Sequence, residues 1–219
     1  CQLAWIHDHF YYNGFDRSPA RLSLAEAAIQ AAFRLRPDAG EVHLARAWNL
    51  YWGYRDYDGA LAELDIAGKT LPNDPRLFEL KGYIERRRPG GDKEALRNLE
   101  HAIQLDPRNI QLLQQTASTY ENLRRYADEN ALWDRALSLE PSDIQTKISR
   151  AFVEFDWKAD TQPLHQLIDE IRETDPDSIG RVAINWLVCA LAERNSAAAA
   201  SALAAGDEEG MSNEIVKYS

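Results

Sequence analysis

Five prolines recur at a nearly constant interval along this chain: Pro37, Pro72, Pro107, Pro141 and Pro176 stand 35, 35, 34 and 35 residues apart. Each closes a helix-like segment, as in Leu35-Arg36-Pro37, Leu105-Asp106-Pro107 and Leu139-Glu140-Pro141. Proline lacks an amide hydrogen and pushes the preceding residue out of helical space, so each one marks a helix end. A fixed period of this size means one supersecondary unit repeated, because such a unit cannot bury its apolar face alone. A stack of units also frees a 219-residue chain from the size limit of a single core.

The unit from Asp74 to Pro107 shows the plan. Asp74-Pro75 is a capping residue followed by proline at the first helical position. Leu77, Phe78, Tyr83 and Ile84 follow at helical spacing, and Pro89-Gly90-Gly91 breaks the helix. Asp92 opens a second helix with Ala95, Leu99, Ala102 and Ile103 on one face. The spacing predicts pairs of helices over approximately 1–37, 41–72, 75–107, 110–141, 144–176 and 179–205, forming one solenoid, with 206–219 starting a further repeat. Cys1 stands where Met is expected, and Leu3, Ala4 and Ile6 read as the middle of a helix; both predict a piece of a longer chain. Pro163 suits the first turn of its helix, and the Ala-rich run from Ser196 to Ala205 reads as tight helix packing rather than a linker.

These units resemble the tetratricopeptide repeat. The matching stretches are Tyr57-Asp58-Gly59-Ala60-Leu61-Ala62-Glu63-Leu64-Asp65-Ile66-Ala67 before Pro72, Ala95, Leu99 and Ala102 before Pro107, and Tyr126, Trp133 and Ala136 before Pro141. The small residue expected in the first helix appears as Gly82, Ala117 and Ala151. Trp48 takes that place in the unit ending at Pro72, and Glu129 replaces the usual Ala early in a second helix. The resemblance implies an all-α, right-handed superhelical solenoid of antiparallel helix pairs. More distantly, Trp52-Gly53-Tyr54-Arg55-Asp56-Tyr57-Asp58 and the stretch Phe15 to Leu22 are similar to repeat arrays of bacterial multidomain signalling proteins, where the array follows a kinase, a cyclase or a winged-helix regulator.

Charge and composition narrow the function. A net charge of −10 argues against nucleic-acid binding, which needs a basic footprint. Residues 76–125 carry ten Lys/Arg against seven Asp/Glu, a local basic zone suited to an acidic ligand. No apolar run reaches the length of a membrane span, so no membrane insertion is expected and a cytoplasmic location is favoured. There is no Gly-x-Ser-x-Gly elbow and no phosphate-cradling Gly-rich loop. His7 and His9 are two apart and point in different directions on a helix, while His43, His101 and His165 lie in different repeats. His165 and Asp169 share a face as a helix-stabilising pair. Cys189, in the run Trp186-Leu187-Val188-Cys189-Ala190-Leu191, reads as a buried, inert thiol. The expectation is a non-enzyme with no cofactor and no metal.

In the tetratricopeptide family the first helices line a concave surface. By family position that surface includes Asn49, Trp52, Tyr83, Arg86, Arg87, Gln114, Ser118, Glu121 and Asn122. Tyr, Trp and Arg most often anchor interfaces, so the resemblance implies a scaffold or sensor that binds a protein or peptide carrying acidic groups. Ala45 stands where a family carboxylate clamp wants Lys, so that specificity does not transfer. The alternative is a small-ligand-sensing regulatory domain of a bacterial signalling protein, since aromatic-rich concavities also take metabolites.

Overall fold

The helices begin and stop where short polar side chains and prolines dictate. The computed structural model describes residues 1–206, and the further repeat expected at 206–219 falls, but for Gly206, outside the described residues. Ser18 accepts from the Arg21 amide at the start of α2 (Pro19–Leu35), and Asp56 accepts from Gly59 at the start of α4 (Tyr57–Ala67). Asp74 does the same for α5 (Pro75–Glu85), Asp143 for α9 (Ile144–Lys158) and Asn195 for α12 (Ser196–Ala205). Each supplies a partner to an amide that the helix leaves orphaned. The residue before four of the ladder prolines, Arg36, Asp106, Glu140 and Asp175, leaves helical space at φ between −148° and −129°.

The remaining helices are α1 (Gln2–Tyr12), α3 (Gly40–Asn49), α6 (Asp92–Leu105), α7 (Ile110–Asn122), α8 (Tyr126–Leu139), α10 (Gln162–Thr174) and α11 (Ala183–Ala192). All regular structure among the described residues is helical. Two segments depart from the regular α form. A π-helical turn, Leu50–Tyr54, extends α3, and a 3-10 segment, Pro176–Val182, leads into α11. In each turn between the two helices of a pair, one residue adopts positive φ: Gly14, Arg55, Gly90, Arg124, Ala159 and Arg194. A left-handed residue satisfies the last carbonyls of the first helix and reverses the chain.

Contacts divide the chain into two units, Cys1–Leu112 and Leu113–Ser219. In the first, Ala4, Ile29 and Ala45 pack together with Ala28 and Phe33, joining α1, α2 and α3. Gly82 of α5 sits so close to α6 that a Cβ there would lie 2.6 Å from Leu99 Cγ. In the second, Ala117, Trp133 and Val153 bring α7, α8 and α9 together. Ile148, Ala151, Leu164, Leu167, Ile171, Val182 and Cys189 form its larger cluster. Ile168, Trp186 and Ala202 tie α10 and α11 to the Ala-rich α12. Small residues at these crossings let the helix backbones approach, as read from Gly82, Ala117 and Ala151 in the sequence.

Candidate functional site

The π-helical turn gathers the aromatic side chains of the first unit. Trp48 and Trp52 have ring centroids 4.4 Å apart, and Trp52 also meets Trp5, His9 and Tyr12. Trp52 is half-buried there. Tyr83 is buried and donates to Glu79 Oε1 at 2.9 Å. The Arg86 guanidinium lies 4.8 Å from the Tyr83 ring centre. Arg87 Nε donates to the Tyr51 hydroxyl at 2.8 Å, with the Tyr12 hydroxyl 3.4 Å from Nη2. Both arginines thus rest on tyrosines of their own unit.

Asn49 is wholly buried. Its Nδ2 donates to Asp8 Oδ1 at 2.8 Å, and its Oδ1 accepts from Arg46 at 3.1 Å. α1 covers the side of α3 on which Asn49 sits, so Asn49 belongs to the interior and not to a surface. Asp8 is equally buried, and its Oδ2 has no partner among the described residues. Burial raises its carboxyl to about 7, against the pull of Asn49 and Arg46.

The second unit contains a cavity of about 720 Å³. The stripe Gln145, Ile148, Ser149, Phe152 and Asp156 of α9 forms one wall, at the spacing that places side chains on one helix face. Ser118 and Glu121 of α7 line it, as do Glu129 and Trp133 of α8 and Ile184, Asn185 and Val188 of α11. Of the nine residues expected on a binding surface, the structure brings Ser118 and Glu121 together here. Gln114 instead donates to Thr146 Oγ1 at 2.8 Å and to Asp143 Oδ2 at 3.3 Å, tying α7 to the start of α9. Asn122 ends α7, exposed and outside the cavity lining.

Three carboxyl groups meet at this cavity. Glu129 is 3% exposed; its Oε1 accepts from Trp133 Nε1 at 3.1 Å, and its Oε2 is buried with no partner among the described residues. Burial raises its carboxyl to about 7; Trp133 draws it down, and the charges of Glu121 and Asp156 push it up. Glu121 and Asp156 are exposed on the wall, yet both are raised too, because the apolar concavity withholds part of their water shell. Arg150, whose charge draws Glu129 down slightly, is committed to Asp134 at 2.6 Å and to Glu154 at 3.5 Å. The result is an apolar chamber of Trp133, Ile148, Phe152, Ile184 and Val188 lined by three carboxyl groups, none of which has an ion-pair partner among the described residues. Chemically it suits a cation carried on an apolar stem.

No protein-family model matches the chain, and no curated protein matches it. Solved structures do. PilF of Pseudomonas aeruginosa is similar over 98% of this chain and 97% of its own, at 15% identity and a TM-score of 0.66. A tetratricopeptide repeat protein from Parabacteroides merdae matches 94% of this chain and 81% of its own, at 14% identity and a TM-score of 0.69. YrrB, a tetratricopeptide protein with an unusual peptide-binding site, matches 81% of this chain and 90% of its own, at 18% identity and a TM-score of 0.60. At such identities the likeness carries the fold, which is the tetratricopeptide arrangement of helix pairs implied by the repeat.

Proposed function

We propose that this chain is a non-catalytic interaction scaffold whose second unit receives a Lys or Arg side chain of a partner protein segment. The observation that carries the reading is the buried, unpartnered Oε2 of Glu129 at the floor of a cavity that Glu121 and Asp156 also line. A buried polar atom without a partner costs free energy, and a donor brought by a ligand removes that cost. A lysine stem would lie along Phe152, Ile148 and Trp133 while its ammonium reaches the carboxylates. The peptide-binding site of YrrB, a protein of the same fold, supports a peptide as the occupant.

This reading changes the charge expected of the partner. Arg86 and Arg87 point to an acidic group in the sequence, but Tyr83, Tyr51 and Tyr12 hold their guanidinium groups, whereas no ion pair engages Glu121, Glu129 or Asp156 of the cavity among the described residues. A second reading, a small cationic metabolite as the ligand, is favoured by the volume, which falls within the range of small-molecule pockets.

A peptide array of random sequence, probed with the wild type and with Glu121→Lys/Asp156→Lys, tests the proposal. The wild type should select sequences enriched in Lys or Arg, and the variant should lose that enrichment. Selection indifferent to Lys and Arg would sink the scaffold reading as stated. Competition of the selected peptide by a small alkylamine at low concentration would favour the second reading.

A further inference from the structure

Away from the acidic cavity, three different donor groups converge between α10 and α11. His165 Nε2 lies 2.7 Å from Glu193 Oε1 and 3.5 Å from Cys189 Sγ. One ligand atom from each of these three residues lies within 4.8 Å of the other two. Cys189 and Glu193 are four apart and share one face of α11 and its cap, and His165 reaches across from α10. Thr161 donates its hydroxyl hydrogen to Glu193 Oε1.

We infer that His165 Nε2, Cys189 Sγ and Glu193 Oε1 form a zinc-binding site that clamps α10 to α11. A single imidazole nitrogen that faces both a carboxylate oxygen and a sulfur is placed as ligands around a common centre are placed. It carries at most one hydrogen and cannot satisfy both neighbours as a donor. Tetrahedral zinc bonds of about 2.1 Å to N and O and 2.3 Å to S set neighbouring ligands roughly 3.4 to 3.6 Å apart. The His165–Cys189 separation already has that value, the Glu193 oxygen must draw back from the imidazole by about 0.7 Å, and the widest separation among the three atoms, within 4.8 Å, must close by up to about 1.2 Å. Imidazole, thiolate and carboxylate together suit zinc among the divalent ions, with the fourth position left to water.

The surroundings fit. Cys189 belongs to the apolar cluster with Leu164, Leu167 and Val182, which strengthens a charge interaction at the sulfur. His165 and Glu193 have side chains 31% and 29% exposed, so an ion has a path from solvent. Without metal the thiol stays protonated, its acidity weakened to about 11 by burial and by Glu193. Metal binding displaces that proton to solvent. Thr161, bonded to Glu193, orients the carboxylate as an outer-shell group does. Spacing alone could not reveal the site, because its ligands lie on two helices.

The test is titration of tag-free protein with Co²⁺ followed by Zn²⁺, in a Cys1→Ser background that removes the exposed thiol. One equivalent of Co²⁺ should give a thiolate-to-metal absorption band, and Zn²⁺ should displace it. His165→Gln and Glu193→Gln, both at partly exposed positions, should weaken Co²⁺ binding more than about 100-fold, and Thr161→Val by about tenfold. Cys189→Ala should lose the band with helicity unchanged by circular dichroism. No thiolate band at one equivalent, or a band that His165→Gln and Glu193→Gln leave unchanged, would overturn the site.

Discussion

Asn49 Nδ2 donates to Asp8 Oδ1 across 2.8 Å, with both residues wholly out of water. The pair joins α1 to α3 inside the first unit. Asp8 Oδ2 has no partner among the described residues, and burial raises this carboxyl to about 7 although Asn49 draws it down. A carboxyl raised in the folded state is neutral in both states below its ordinary value of 3.8 and costs stability as the pH rises through 7. Asp8→Asn should therefore be more stable than the wild type at pH 8, by about 2 kcal/mol, and lose that advantage toward pH 4. Asn49→Leu, which removes the Asn49 hydrogen bond to the buried carboxyl, should destabilise by about 3 kcal/mol at pH 8. Urea unfolding at the two pH values reads both.

Two swaps between glycine and alanine should act in opposite directions. Ala159 holds φ 55° and ψ 31° at an exposed turn, a conformation that costs an L-residue about 1 kcal/mol. Ala159→Gly should stabilise by about 0.5 to 1 kcal/mol despite the added freedom of the unfolded chain. Gly82→Ala would set a Cβ 2.6 Å from Leu99 Cγ and 3.1 Å from the Ala95 carbonyl oxygen. It should destabilise by about 1 to 3 kcal/mol although alanine is the better helix former. Thermal melts of the two variants beside the wild type decide both signs.

Peptide binding at the acidic cavity should take up charge with pH. A cation binds the ionised form of Glu129, whose carboxyl titrates near 7. Affinity for a Lys-bearing peptide should rise as the pH increases through 7 and level off above it, falling by up to about tenfold per unit below. Calorimetry at pH 7 in buffers of different ionisation enthalpy should report proton release on binding. In Glu129→Gln the release and most of the pH dependence should vanish.

Much of this architecture was legible in the chain because its punctuation is physical. Asp74-Pro75 and Pro163 start helices, the ladder prolines end them, and Gly82 marks a close crossing. Glu129 was visible as a carboxylate where the repeat usually has Ala, but only the structure shows that it is buried against Trp133 and lines a cavity. Four of the left-handed turn residues, Arg55, Arg124, Ala159 and Arg194, carry no local signal, since only glycine advertises that conformation. The place of Asn49 was misread because a helix face does not say which neighbour covers it, and α1 does. The π-helical turn at Leu50–Tyr54 shifts the register just beyond it, which no periodicity rule anticipates. His165 and Cys189 show no shared signal when each is read on its own helix, and with Glu193 they meet only across two helices.

Whether the acidic cavity of the second unit holds a basic side chain is decided by a double-mutant cycle. Calorimetry would measure an array-selected peptide and its Lys→norleucine counterpart against the wild type and against Glu121→Gln/Asp156→Asn. Either change alone should weaken binding at least about tenfold, and the two together should cost less than their sum, a coupling of about 1 kcal/mol or more. Additive losses, or a norleucine peptide that binds the wild type as well as the lysine peptide does, would contradict a basic occupant.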